Sequence, residues 1–374
     1  MRILIDIAQD DSALAGLLRK MDSNPAVASM LVMAAARQGD DQEALKRSLE
    51  GVAKPVFGGL FPAVLHDGGL HEEGAIVVGM PRPAQIRVIS GLSRPAEVVR
   101  KKLDAVLEDF PVDGGTLFVL ADALAEQIGP VIDGIYDQFG LQARYLGGGC
   151  GAMDLKPHPC VIGAGGVHQD SAVLAWLPEQ ESRIGVAHGW APISEPIKVT
   201  SSSGSLIETL DWRPAFDVYR EQIEAHLGQA VEPEAFADIA RSHPLGISKL
   251  DSEVVVRDPF ALEEGGSIRC FGEVPTGSHV RILAGSEEGL AAAAGEAVTR
   301  AAAEPLSGRV GCKLIFDCIS RALYLGDRFS SELAHLTEGS APVAGALTIG
   351  EIANHGEDCL EFYNKTAVVG LLEG

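Results

Sequence analysis

The chain is short of the features that would place it in a specialised class. None of its 374 residues fall in an unbroken apolar run of the roughly 18 or more that a membrane-spanning helix needs. Its six cysteines, at 150, 160, 270, 312, 318 and 359, form no CxxC pair and no zinc-ribbon spacing, so no structural zinc site is expected. There is no HExxH, no GxxxxGK[ST] and no GxGxxG leading from a strand into a helix, which leaves a metalloprotease centre and a nucleotide cradle without support. Positive charge is scarce as well. Lys and Arg number 30 against 52 Asp and Glu, a net charge of −22. A phosphate backbone is bound through a basic surface that releases counterions, so a nucleic-acid partner is excluded, and acidic membranes are disfavoured by the same sign. The opening MRILIDIAQDD has too short an apolar run for a cleavable signal, with Asp6 interrupting it, so a cytoplasmic protein is expected.

What the chain does have is repetition. Short apolar strands at 2–7, 87–90 and 281–284 are each followed by an amphipathic helical stretch. Second apolar runs at 30–35, 116–121 and 313–318 lead into further helical patterns around Ala44, Val131 and Leu333. Third strands end on small residues, as PVFGG, RYLGGG and PVAGA, and hairpins return through AIVVG, AVLAW and AVVGL. Self-similarity in a fixed order points to duplication of one supersecondary unit. RIGVAHGW from Arg183 opens a fourth, diverged copy, whose middle holds Asp211, Trp212, Arg213 and Pro214, a helix toward Leu227 and a hairpin over 253–281. A chain longer than about 250–300 residues divides its core. The expectation is therefore an α/β protein of two pseudo-symmetric halves, 1–180 and 181–374. Each half holds two strand-helix-strand-helix-strand-hairpin cassettes, the second half one diverged and one regular, in mixed sheets covered by helices.

Glycines 58 and 59, 147 to 151, and 345 with 350 stand at equivalent points of the repeat, where small residues let backbones approach or a sheet bend, leaving a concave junction. Around that junction the chain supplies polar groups. His188 and Trp190 emerge together where an apolar strand ends. In the last cassette Cys318, Arg321, Glu332, Glu351, His355, Asn364 and Lys365 crowd into strand ends and turns. Arg321 follows Cys318 by about one helical turn, an arrangement in which a guanidinium favours a thiolate or holds a carboxylate. These residues predict a small-molecule pocket made of His188, Trp190, Cys318, Arg321, Glu351 and Asn364. Arg321 would pair with an acidic group of the ligand and Glu351 with a basic one, which suits an amino acid. An enzyme that uses Cys318 is the minority reading, because no orienting base is signalled beside it.

The stretch GWAPISEPIKVTSSSGSLIETLDWRPAFDVYRE, residues 189–221, resembles the opening of the C-terminal half of the FIST (F-box and intracellular signal transduction) domain family, with Pro214, Ala215 and Tyr219 on the family's helix. VRDPFALEEGGSIRCFGEVPTGSHVRIL resembles that family's central hairpin region, and FDCISR, GEI and NKT its closing motifs. Two motifs depart from the family pattern: Cys318, Ile319, Ser320, Arg321 stands for Cys-x-Gly-Arg, and Asn364, Lys365, Thr366 for Asn-Gln-Thr, which adds a positive charge beside the expected site. The resemblance implies a ligand-binding sensory module with FIST N and FIST C halves. Its resemblance covers neither an F-box nor a catalytic output domain, so it implies signalling through a separate protein such as a kinase or cyclase. Some bacterial members resemble haem-binding nitric-oxide sensors, which makes b-type haem the alternative, with His188, His355 and Cys318 as its candidate ligands.

Overall fold

The computed structural model describes residues 2–36, 42–110, 114–249, 254–354 and 359–374. The first cassette runs β1 (Leu4–Ala8), α1 (Asp11–Ser23), β2 (Ser29–Ala35), α2 (Gln42–Leu49), β3 (Val56–Phe61), a hairpin of β4 (Ala63–His66) and β5 (Gly69–His71), and β6 (Ala75–Met80). The second repeats that order: β7 (Gln85–Ser90), α3 (Ala96–Leu107), β8 (Gly115–Asp122), α4 (Ile128–Phe139), β9 (Arg144–Cys150), the hairpin β10 (Val161–Gly163) and β11 (Gly166–His168), and β12 (Ser171–Pro178). Local chemistry explains these elements. In α1 the Asp10 side chain caps the first turn by accepting from the Ala13 N–H, and Leu14, Leu17, Leu18 and Met21 form one buried stripe at helical spacing. β2 reads SMLVMAA without polar alternation because all seven residues are buried, as in a sheet covered on both faces.

The third cassette starts at β13 (Ser182–Ala187) and is then interrupted. An inserted unit follows, with β14 (Ala191–Pro192), β15 (Ile197–Ser203), β16 (Leu206–Leu210), β17 (Arg213–Pro214), α5 (Ala215–Leu227), α6 (Phe236–Ser242), β18 (Leu245–Ile247), β19 (Val255–Leu262), β20 (Ile268–Phe271) and β21 (His279–Ala284). The cassette resumes with α7 (Glu287–Ala301), β22 (Val310–Cys318), α8 (Ile319–Leu325), α9 (Phe329–Leu336) and β23 (Val343–Thr348). Its hairpin is β24 (Glu351–Asn354) and β25 (Leu360–Tyr363), and β26 (Ala367–Glu373) closes it. This corrects two expectations. Residues 281–284 lie in β21 of the insertion and do not open the last cassette, and the insertion is not a fourth strand-helix copy. Its strands pair antiparallel in the order β15-β16-β20-β19-β18-β21, and β21 also pairs with β15, so the sheet closes on itself as a small barrel.

The three regular cassettes have one sheet plan. β1-β6-β2-β3, β7-β12-β8-β9 and β13-β26-β22-β23 are the same order, with a parallel pair in each (β2 with β3, β8 with β9, β22 with β23) among antiparallel neighbours. The protein is thus α/β with mixed sheets, as the repeat predicts. Each hairpin leaves its own sheet. β10 of the second cassette pairs with β3 of the first, β24 of the third with β9 of the second, and β4 of the first with β23 of the third. The donations form a closed ring. One glycine recurs in it: Gly58, Gly147 and Gly345 face Val32, Val119 and Ile315 across the parallel pairs, and a Cβ at any of them would overlap the facing carbonyl oxygen. Helices α1 and α2, α3 and α4, and α7 and α9 cover the outer faces. The inner faces share one core, in which Phe57 and Phe118 from different cassettes pack with their rings tilted and their centroids 5.3 Å apart.

Candidate functional site

Where the inserted barrel meets the cassette ring there is a pocket of about 240 Å³. The barrel side supplies Asp258, Pro259 and Phe260 from β19, Phe271 from β20, and Ala237 and Arg241 from α6. The ring side supplies Ala152, Met153 and Leu155 from the connection after β9, Cys318 at the end of β22, and Ile319, Ser320 and Leu323 on α8. Ile349, Gly350, Asn364 and Lys365 complete it. Phe260 and Phe271 stack on one another, 4.3 Å between centroids, and form an apolar wall.

The polar groups collect on the floor. Ser320 Oγ donates to Asp258 Oδ2 at 2.6 Å, and Lys365 Nζ lies 3.2 Å from Asp258 Oδ1. Lys365 also donates to the Arg241 carbonyl at 3.0 Å, and its ammonium sits 5.3 Å from the centre of the Trp190 ring. Asn364 Oδ1 accepts from the Asp258 N–H at 3.3 Å. The turn that carries these residues is tight: Lys365 has a left-handed backbone (φ 50°), and Thr366 Oγ1 donates back to the Asn364 carbonyl at 2.7 Å. A lysine held there costs roughly 1–2 kcal/mol of backbone strain. The buried ion pair and the packing of its stem hold it in place.

Of the six residues expected to form the pocket, Cys318 and Asn364 line it. The other four form the layer behind. Trp190 Nε1 donates to the Lys365 carbonyl at 3.0 Å, and Arg321 Nη1 donates to the same oxygen at 3.1 Å. Arg321 is fully buried, and its remaining bonds go to the His188 carbonyl (2.6 Å), the Leu290 carbonyl (2.9 Å) and Glu332 Oε1 (2.7 Å), with Asp317 Oδ1 3.3 Å away. These partners use its guanidinium inside the fold, so it anchors the Lys365 turn and does not face a ligand carboxylate. Glu351 is likewise turned inward, accepting from Thr348 Oγ1 at 2.8 Å and from the Thr366 N–H at 3.3 Å. His188 Nδ1 accepts from the Trp190 N–H at 2.9 Å, which fixes the turn that aims the indole. His355 lies outside the described residues.

The electrostatics follow from burial. Glu351 has its carboxyl pushed well above the usual range by desolvation, against the opposing hydrogen bonds of Thr348 and Cys318. Burial pushes the Cys318 thiol up as well, and the nearby carboxyls of Glu351 and Asp258 add to it. The thiol therefore stays protonated at neutral pH, the opposite of the activation a nucleophilic cysteine requires. The same protonation makes it a poor haem ligand. Among the described residues no histidine lines the pocket, and no group of three or more His, Cys, Asp or Glu is placed to hold a metal ion. The residues present do not fit a haem at this pocket.

Asp258, Arg241, Phe260 and Phe271 are not singled out by the sequence; Ser320 stands out only as a departure from a motif, and Lys365 both as a departure and as one of the polar residues crowded into the last cassette. One signal was available for Asp258: it interrupts the apolar run VVVRDPF at a strand position that the fold buries. No curated protein matches the chain. The FIST N domain pattern matches residues 30–213 and the FIST C domain pattern residues 215–354, so that between them they take in both sides of the pocket apart from the Asn364–Lys365 turn. The chain belongs to the FIST family, in its two-part FIST N and FIST C form, a family associated with sensing in signal transduction.

Proposed function

We propose that the protein is a sensory module that takes a small molecule into the pocket between barrel and ring and acts in the cytoplasm through a separate signalling partner such as a kinase or cyclase. The observation that carries this reading is the pocket itself: a half-open, largely apolar cleft with buried Asp258, Asn364 and Lys365 and half-buried Ser320 gathered on its floor, the usual build of a small-molecule site. The amino-acid ligand expected from Arg321 and Glu351 loses both of its countercharges, since those groups are bonded within the protein. An amino acid would have to be read by Asp258 and by Arg241 at the mouth instead. The floor also reaches the rest of the fold. The Lys365 carbonyl holds both Trp190 and Arg321, and Arg321 reaches α7 and α9 through Leu290 and Glu332, so a ligand that moves Lys365 acts on helices at the outer surface.

The test is mass spectrometry of whatever is released when protein purified from cells is denatured, followed by calorimetry of the released compound and of an amino-acid panel. Leu155→Asp and Leu323→Asp place a charge on the exposed rim and should abolish uptake while leaving the unfolding temperature unchanged. A ligand that binds both variants as tightly as the parent does not occupy this pocket.

A further inference from the structure

The mouth of the pocket is not its end. A second recess of about 460 Å³ shares Met153, Ile319 and Leu323 with it and extends past Leu347 and Phe329 to Leu70. Eight large hydrophobic side chains are exposed among the described residues, and five of them line these two recesses: Leu70 at 40%, Met153 at 48%, Leu155 at 43%, Phe260 at 40% and Leu323 at 50%. They come from β5, the connection after β9, β19 and α8, elements far apart in sequence, so their meeting is a product of the fold. A protein of net charge −22 that gathers its exposed apolar side chains along one track has there a surface for an apolar partner.

The floor limits what the other end of that partner is. Asp258 and Lys365 already neutralise each other, so a cationic head meets Lys365 and an anionic head meets Asp258. The Asp258 carboxylate has room for about four hydrogen bonds, and its bonds to Ser320 and Lys365 leave acceptor capacity for an O–H or an uncharged N–H. Glu72 and Glu73 line the far recess and disfavour an acidic group at the opposite end.

We propose that the ligand is an uncharged amphiphile, with a hydroxyl or primary-amide head on Asp258 and Ser320 and an aliphatic chain that crosses the divide at Met153 and Leu323 into the second recess. This rests on the pocket being the ligand site. The probes are straight-chain primary amides from butanamide to octanamide, titrated into the full-length protein by calorimetry. Affinity should rise about fourfold with each added methylene, the increment expected for burying one CH₂ group, through the whole series. Leu70→Asp, an exposed position in the second recess alone, should weaken octanamide and leave butanamide unchanged. Ser320→Ala should weaken every member by a similar factor. Alkanoates and alkylammonium ions of equal length should bind more weakly than the amides. Affinity that levels off at the shortest chains, octanamide binding untouched by Leu70→Asp, or charged heads that bind as well as the amide would each overturn the assignment while leaving the pocket as a site. Failure of every chain length and head to bind would sink the pocket reading itself.

Discussion

Asp317 on β22 and Glu332 on α9 are fully buried, with one cation, Arg321, between them. Apart from that ion pair, neither oxygen of Asp317, nor Glu332 Oε2, has a hydrogen-bond partner. Two buried carboxylates beside one guanidinium compete for a single countercharge. Burial, and after it the charge of Glu332, pushes the Asp317 carboxyl well above its ordinary 3.8, which favours a proton held within the trio. In the unfolded chain that proton is lost near 3.8. Folding therefore takes up one proton above that pH, and the stabilisation is complete below the unfolded value and declines as pH rises toward the folded one. The slope for one proton is about 1.4 kcal/mol per pH unit. Asp317→Asn keeps the shape, cannot ionise and removes the slope. Between pH 5.5 and 7.5 the unfolding free energy of the variant relative to the parent should therefore rise, up to a ceiling of about 2.7 kcal/mol for one whole proton. Urea unfolding at each pH measures it, provided the m value is the same for both proteins. Parallel stability curves across that range would mean that Asp317 is ionised in the fold and that no proton is shared.

Three further outcomes follow from the geometry. Gly147→Ala forces a methyl group onto the Val119 carbonyl and should cost about 3 kcal/mol, the upper end for overpacking, whereas Gly16→Ala on the open face of α1 should gain about 1 kcal/mol from helix propensity; thermal unfolding of the two variants separates these signs. Lys365→Ala strands the Asp258 carboxylate and should cost about 3–5 kcal/mol, with Asp258→Asn in the same chain restoring much of the loss; a double-mutant cycle that shows no coupling would refute the pair. Arg321→Ala should lower stability by a similar amount, about 3–5 kcal/mol, and disorder the Lys365 turn, read as faster amide exchange at Lys365 and Thr366.

The repeat was legible because each cassette writes its strands as continuous apolar runs, and the order of those runs survives divergence. Which strand opens the third cassette was not. β13 and β21 both begin near an arginine and read as short apolar strands, and the insertion places β21 next to α7 while moving β13 far from it. Sheet membership was hidden for a related reason: alternation and turn residues identify the hairpins β4–β5, β10–β11 and β24–β25, but nothing local says whose edge they extend. In the site, Cys318 and Asn364 line the pocket, and Arg321 and Glu351 lie in the layer behind it. A charged residue just past a buried strand looks the same in sequence whether it turns outward to a ligand or inward to backbone carbonyls. The number of inward acceptors available to Arg321, from β13, α7 and the Lys365 turn, is set by long-range packing.

The ring of donated hairpins also sets a timetable. As the chain leaves the ribosome, the first sheet is complete once β11 has emerged, near residue 168. The second waits for β25 near residue 363, and the third for β26, which ends at Glu373. The hairpin β4–β5 belongs to that last sheet and pairs with β23, so it stays undocked with its strand edges exposed until β23 has emerged. Contacts of such long sequence separation are slow to form and open to wrong partners. A segment in need of protection during translation is then one made long before the sheet it joins can form.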